Sequence, residues 1–140
     1  MSYTNLKIDP HTINESTKII KLEAEYKANV HVEDPIWGFR LKDPSGTPIM
    51  GTNTKILGLA TKKFEPKETG KVIWEIPNIL SDGQYTIDLA LTHNDALTHF
   101  DWWEDAIAFR SSRERHTPYS ISPIVTAKNV ADSDSNKSEK

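Results

Sequence analysis

The residues best equipped for chemistry crowd into one stretch. His93, Asn94, Asp95, His99, Asp101, Trp102, Trp103, Glu104 and Asp105 fall within thirteen positions. Sugar binding is one use of such a set. Aromatic faces stack on the apolar C–H faces of a sugar ring, and planar polar side chains read its hydroxyls. In extended chain Trp102 and Trp103 point to opposite faces, so that one can anchor in the core with the other presented outward; the alternative is that both are core, a common fate for Trp. Metal binding is a second use, since two His and four carboxylates lie close together. Their spacing matches no zinc or calcium loop, and Asn and Asp here also serve as turn formers. A glycosidase pair is a third, with Asp101 opposite Glu104 or Asp105 across about 5–10 Å. The reading adopted has sugar contacts at His93, Asn94, His99, Trp102 and Trp103, with no catalytic residue and no metal ligand.

A second polar set comes from strands. Arg40, Lys42, Asp88 and Thr92 occupy outward positions of segments that can be neighbours. Together they form a charged, hydroxyl-reading patch, or an ordinary solvated sheet face. Arg forks onto a carboxylate or phosphate, which suits an acidic ligand.

The elements that must position these residues repeat with period two. Ile20, Leu22, Ala24, Tyr26 and Ala28 alternate with Lys21, Glu23, Glu25 and Lys27. Trp37, Phe39 and Leu41 oppose Gly38, Arg40 and Lys42, and a Pro44-Ser45-Gly46 turn leads to a second strand ending Gly51-Thr52-Asn53-Thr54. Val72, Trp74 and Ile76 alternate with Ile73 and Glu75 up to Pro77. After the Ser81-Asp82-Gly83 turn, Tyr85, Ile87, Leu89 and Leu91 point inward. Residues 93–104 read as a long loop, 106–110 as a short strand with Ile107 and Phe109 inward, and 62–70 as a charged loop. Tyr119, Ile121, Ile124 and Val125 mark one more edge strand, or a strand lent to a partner. Strands so spaced, with Gly, Pro and Asp turns, argue an all-β antiparallel sandwich. One domain over 1–126 and a disordered polar tail over 127–140 follow from composition.

Composition narrows function further. The net charge of −3 supplies no basic field for nucleic acid or for an anionic membrane by bulk attraction. No apolar run approaches 18 residues, and no secretory signal opens the chain. With no cysteine, disulfides and thiol catalysis are excluded. Neither a phosphate-binding Gly-Lys-Ser/Thr loop nor a Gly-x-Ser-x-Gly elbow occurs.

Several motifs together resemble a known family. Gly38-Phe39, Asp43, Gly46 and Gly51-Thr52-Asn53-Thr54 look like its central hairpin. The run 72–77 followed by Leu80, Gly83 and Tyr85 is similar to its strand and Leu-x-x-Gly-x-Tyr segment, and Asp101-Trp102 with 106–109 to its closing loop and strand. The family is the C-terminal carbohydrate-binding domain of the ATP-binding subunit of O-antigen polysaccharide ABC transporters (Wzt). The resemblance implies an immunoglobulin-like sandwich, dimeric through exchanged C-terminal strands. It implies a cytoplasmic, non-catalytic domain without cofactor, which recognises the non-reducing, often modified end of an undecaprenyl-linked O-antigen polysaccharide and licenses its export. The partners implied are a homodimer mate, a nucleotide-binding domain and a transmembrane subunit. ATP hydrolysis would belong to a preceding domain that these 140 residues do not contain. Two other classes stay in view. One is a metal-dependent carbohydrate-active enzyme using 93–105, and the other a protein-interaction sandwich that pairs through an edge strand.

Overall fold

The computed structural model describes residues 1–95 and 98–131. Positions 96 and 97 of the polar cluster, and 132–140 of the expected disordered tail, lie outside the described residues. Eight strands form among the described residues: β1 (Ser2–Asp9), β2 (Thr12–Ile13), β3 (Ile19–Lys27), β4 (Ile36–Lys42), β5 (Pro48–Asn53), β6 (Thr69–Pro77), β7 (Gly83–Thr92) and β8 (His99–Ser111). They make two sheets, one ordered β1-β3-β6 and one ordered β2-β8-β7-β4-β5. Every ladder is antiparallel except the short β2–β8 pair.

The alternating apolar residues meet between the sheets. Leu22, Ala24, Val72, Trp74 and Ile76 face Phe39, Leu41, Tyr85, Ile87, Leu89 and Leu91, all buried. The Phe39 ring meets Trp74 edge-on at 5.1 Å, and Tyr26 tilts onto Trp37 at 4.8 Å. Fully burying side chains of this size contributes about 1.5–3 kcal/mol each. Two glycines of the β4–β5 hairpin have separate reasons. Gly46 sits at φ 87° in the turn, where a side chain is strained. Gly51 takes an ordinary φ, but a Cβ there would lie 2.9 Å from the Phe39 carbonyl oxygen.

Three expectations change, and one strand is added. First, residues 99–104 are not loop. They begin a single 13-residue strand that runs through 106–110. Asp101, Glu104 and Asp105 suggested a loop because polar residues interrupt the apolar period, but this strand is bulged and largely solvent-facing. Second, the N-terminus is strand β1, with Tyr3 and Ile8 buried. The Tyr3 N–H donates to the Asp101 carboxylate at 2.9 Å, and its hydroxyl donates to the Ala90 carbonyl at 2.5 Å. Third, the 62–70 segment buries Phe64, whose backbone bridges Val32. Fourth, 112–125 forms no strand. It crosses its own molecule as a strap, through a Leu80–Ile121 bridge and a Ser81 N–H to Ser120 carbonyl bond of 3.0 Å. Arg113 and His116 both contact the Asp82 carboxylate, while Ile124 and Val125 stay exposed.

Candidate functional site

The outward face of the five-stranded sheet carries the polar set. β7 places Asp88, Ala90 and Thr92 beside Arg40, Gly38 and Ile36 of β4, and beside Trp102 and His99 of β8. The centre of this face is Asp88, whose side chain is 0% exposed. A buried carboxylate requires partners, and Asp88 takes four contacts from three residues. Its Oδ2 accepts from Arg40 Nε at 2.9 Å and Nη2 at 2.7 Å. Its Oδ1 faces Lys42 Nζ at 2.9 Å and accepts the Asp105 N–H at 2.7 Å. Lys42 closes the set with a 2.5 Å bond to Asp105 Oδ1.

A bulge in β8 makes the last contact possible. Ile87 pairs with Ile107, but Leu89 pairs with Trp103, so β8 carries excess residues opposite Asp88. Asp105 turns to φ 51° at the bulge. Its N–H leaves the ladder and finds the Asp88 carboxylate instead of a carbonyl. Burial by itself pushes the Asp88 carboxyl up. The Asp105 N–H, Lys42 and Arg40 outweigh that and hold it below its ordinary value. Lys42 is held above its ordinary value, first by Asp105 and then by Asp88. The two cations and two carboxylates balance formally.

This network holds an aromatic surface in place. The Arg40 guanidinium carbon lies 5.1 Å from the centroid of the Trp102 ring, a cation–π distance. His99 meets the same ring edge-on at 5.6 Å. Trp102 remains 40% exposed and the Arg40 side chain 41%. Small residues at Gly38 and Ala90 leave the floor low between these groups and the β5 edge. The result is a groove of about 220 Å³, walled by Arg40, Trp102 and His99 on one side and by Thr52 and Asn53 on the other. A shallower recess continues across β5 past Gly51 to Met50 and Ile56.

Of the nine candidate contacts, Arg40, Asp88, Thr92, His99 and Trp102 line this groove. Lys42 lies at its foot, committed to Asp88 and Asp105. His93 stacks on Phe100 at 3.6 Å, and the Asn94 carbonyl receives Lys55 Nζ at 3.3 Å, so both stand beyond the groove. Trp103 points to the other face of β8 and tilts onto Tyr3 at 5.9 Å, where it packs on the core. Gly38, Thr52, Asn53 and Ala90 were not among the candidates. The signal for Gly38 and Ala90 is smallness at outward positions of otherwise bulky strands. Asn53 and Thr54 hold a neighbouring loop and strand. Asn53 Oδ1 accepts the Ile56 N–H at 2.8 Å, and Thr54 Oγ1 accepts the Trp37 N–H at 3.2 Å.

The family model for the Wzt C-terminal domain matches residues 6–122. The chain belongs to the Wzt C-terminal domain family. This family is the carbohydrate-binding domain of an O-antigen ABC transporter. Among solved structures, one titled "Crystal structure of the C-terminal domain of wzt" superposes with a TM-score of 0.77 at 12% identity, covering 89% of this chain and 80% of that one. At that identity the likeness speaks for the fold, a two-sheet all-β sandwich that the Wzt domain shares. No curated protein matches the sequence.

Proposed function

We propose that this domain binds the non-reducing end of a lipid-linked O-antigen polysaccharide in the groove on the outward face of β4, β7 and β8, and so marks the chain for export. The observation that carries the reading is Trp102. It is a large ring left half-exposed beside a concave polar site, and fixed there by Arg40 and the buried Asp88. A ring held so offers its face to the C–H side of a sugar. Arg40, His99, Thr92, Thr52 and Asn53 supply donors and acceptors around it. The volume falls below the usual range of about 300–1,000 Å³ for small-molecule pockets, which suits one terminal sugar better than an internal stretch.

The carboxylates do not favour catalysis. Asp101 accepts the N–H groups of Tyr3 and Trp102, while Asp88 and Asp105 are tied to cations. Among the described residues no three His, Asp or Glu side chains converge to hold a metal ion. On this reading the domain works in the cytoplasm, beside the transporter's nucleotide-binding and transmembrane parts. It acts there as an immunoglobulin-like homodimer in which the 112–125 segments, each a strap across its own chain in this structure, exchange between subunits. The test is fluorescence titration with delipidated O-polysaccharide, using the intrinsic tryptophan signal. Saturable change with the parent chain and none with Trp102→Ala supports the proposal. Equal titration of both chains contradicts it.

A further inference from the structure

Next to the groove stands a surface that sugar binding does not use. The loop 54–61 is built as firmly as a short helical turn. Asn53 accepts the N–H groups of Ile56 (at Oδ1) and Leu57 (at its carbonyl), Leu59 N–H returns to the Thr54 carbonyl at 2.9 Å, and Gly58 closes the turn at φ 72°. Yet this ordered loop holds Ile56, Leu57 and Leu59 out at 72%, 61% and 57% exposure. Exposed single aliphatics are ordinary, but three on one fixed tip form a patch that calls for a partner.

Charge identifies the partner. Lys55, Lys62 and Lys63 flank the tip, and no acidic residue occurs from 44 to 64. Lys62 is shared with Glu68 at 3.1 Å. Lys55 Nζ meets the neutral Asn94 carbonyl at 3.3 Å, and among the described residues no carboxylate partner is seen for Lys63. The chain is acidic as a whole, whereas the tip segment itself carries only lysines, with Asp34 on the recess behind Lys55 and Leu59. We infer that this loop docks on an anionic lipid bilayer, its aliphatic tip entering the headgroup boundary and its lysines resting among lipid phosphates. A protein partner fits less well. Protein interfaces favour Trp, Tyr and Arg and are depleted in Lys, and this tip has aliphatics and Lys alone. Because Asn53 both walls the groove and caps the loop, docking would hold the groove against the membrane surface.

The inference stands apart from the glycan reading and is tested without glycan. The intact chain is sedimented with vesicles of phosphatidylcholine, with and without phosphatidylglycerol. Binding should appear with phosphatidylglycerol and weaken as salt is raised. The double variant Leu57→Ser with Leu59→Ser should lower partitioning roughly tenfold. Lys55→Glu with Lys63→Glu should remove the preference for anionic vesicles. Ile73→Ser, an exposed aliphatic on the outer face of the other sheet, should change nothing. Circular dichroism confirms that each variant is folded. No binding to either vesicle overturns the inference, as does unchanged binding by the folded leucine variant. A shift of that variant from dimer to monomer also overturns it, by making the loop a contact between chains.

Discussion

At the scale of single residues, one buried carboxylate organises the site. Asp88 holds Arg40 over Trp102, receives the bulged N–H of Asp105 and neutralises Lys42. Removing one member of a buried ion set leaves the others unpaired, which costs about 3–5 kcal/mol. Asp88→Ala should therefore destabilise the fold by about that much in urea unfolding, whereas Trp102→Ala, at a half-exposed ring, should cost only about 1 kcal/mol or less. The sign with pH is fixed by the lowered Asp88 value. Its contribution is full above the unfolded carboxyl value of about 3.8–3.9, and is lost as pH falls through the lower folded value. Stability measured at pH 7, 5, 4 and 3 should fall at the acid end in the parent chain. That component should be absent from Asp88→Asn. A parent and variant with parallel acid profiles would show that Asp88 carries no such linkage.

At the scale of elements, the face is shaped by a bulge and by two small residues. Asp105 sits at φ 51°, where a branched side chain is strained. Asp105→Val should cost about 1–2 kcal/mol from backbone strain, beyond the loss of the Lys42 contact. Asp105→Gly, which loses that contact without the strain, should be the more stable of the two in the same unfolding assay. Ala90 lies on the groove floor opposite Trp102. Ala90→Leu should block sugar titration while leaving the melting temperature near that of the parent. The strands β3, β4, β6 and β7 were legible in the sequence because their alternation is unbroken and one face is apolar. The outward placement of Arg40, Lys42, Asp88 and Thr92 followed from the same alternation. What the sequence did not disclose is β1 and the first half of β8, residues 99–105. The two register shifts of β8 break the period, and its polar residues mimic a turn. Whether Trp102 or Trp103 faced outward also depended on pairing with β7, which no local pattern encodes. The floor residues were hidden for a different reason, because a groove is defined by side chains that are missing.

At the scale of the whole molecule, the sandwich separates the grooved face from a closing strap. The core between the sheets fixes β4 and β7. β1 then braces the back of the groove strands through Tyr3, which bonds the Ala90 carbonyl and packs on Trp103. At the far end the 112–122 strap is tied by Arg113, Ser81, Tyr85 and Ser120. Deleting 123–140 should leave the melting temperature unchanged. Deleting 112–140 removes several buried hydrogen bonds, each worth about 1 kcal/mol, and should lower it clearly. Analytical ultracentrifugation of the two truncations then reads the dimer. Loss of dimer only in the longer deletion fits strand exchange, and a dimer that survives both excludes it. Sugar binding in the groove is read by an NMR titration of the amide and indole signals with a chain-end fragment of O-polysaccharide. Shifts should be confined to Gly38, Arg40, Thr52, Asn53, Ala90, Thr92, His99 and the Trp102 indole. Shifts centred elsewhere, or none with any O-polysaccharide end, would contradict binding there.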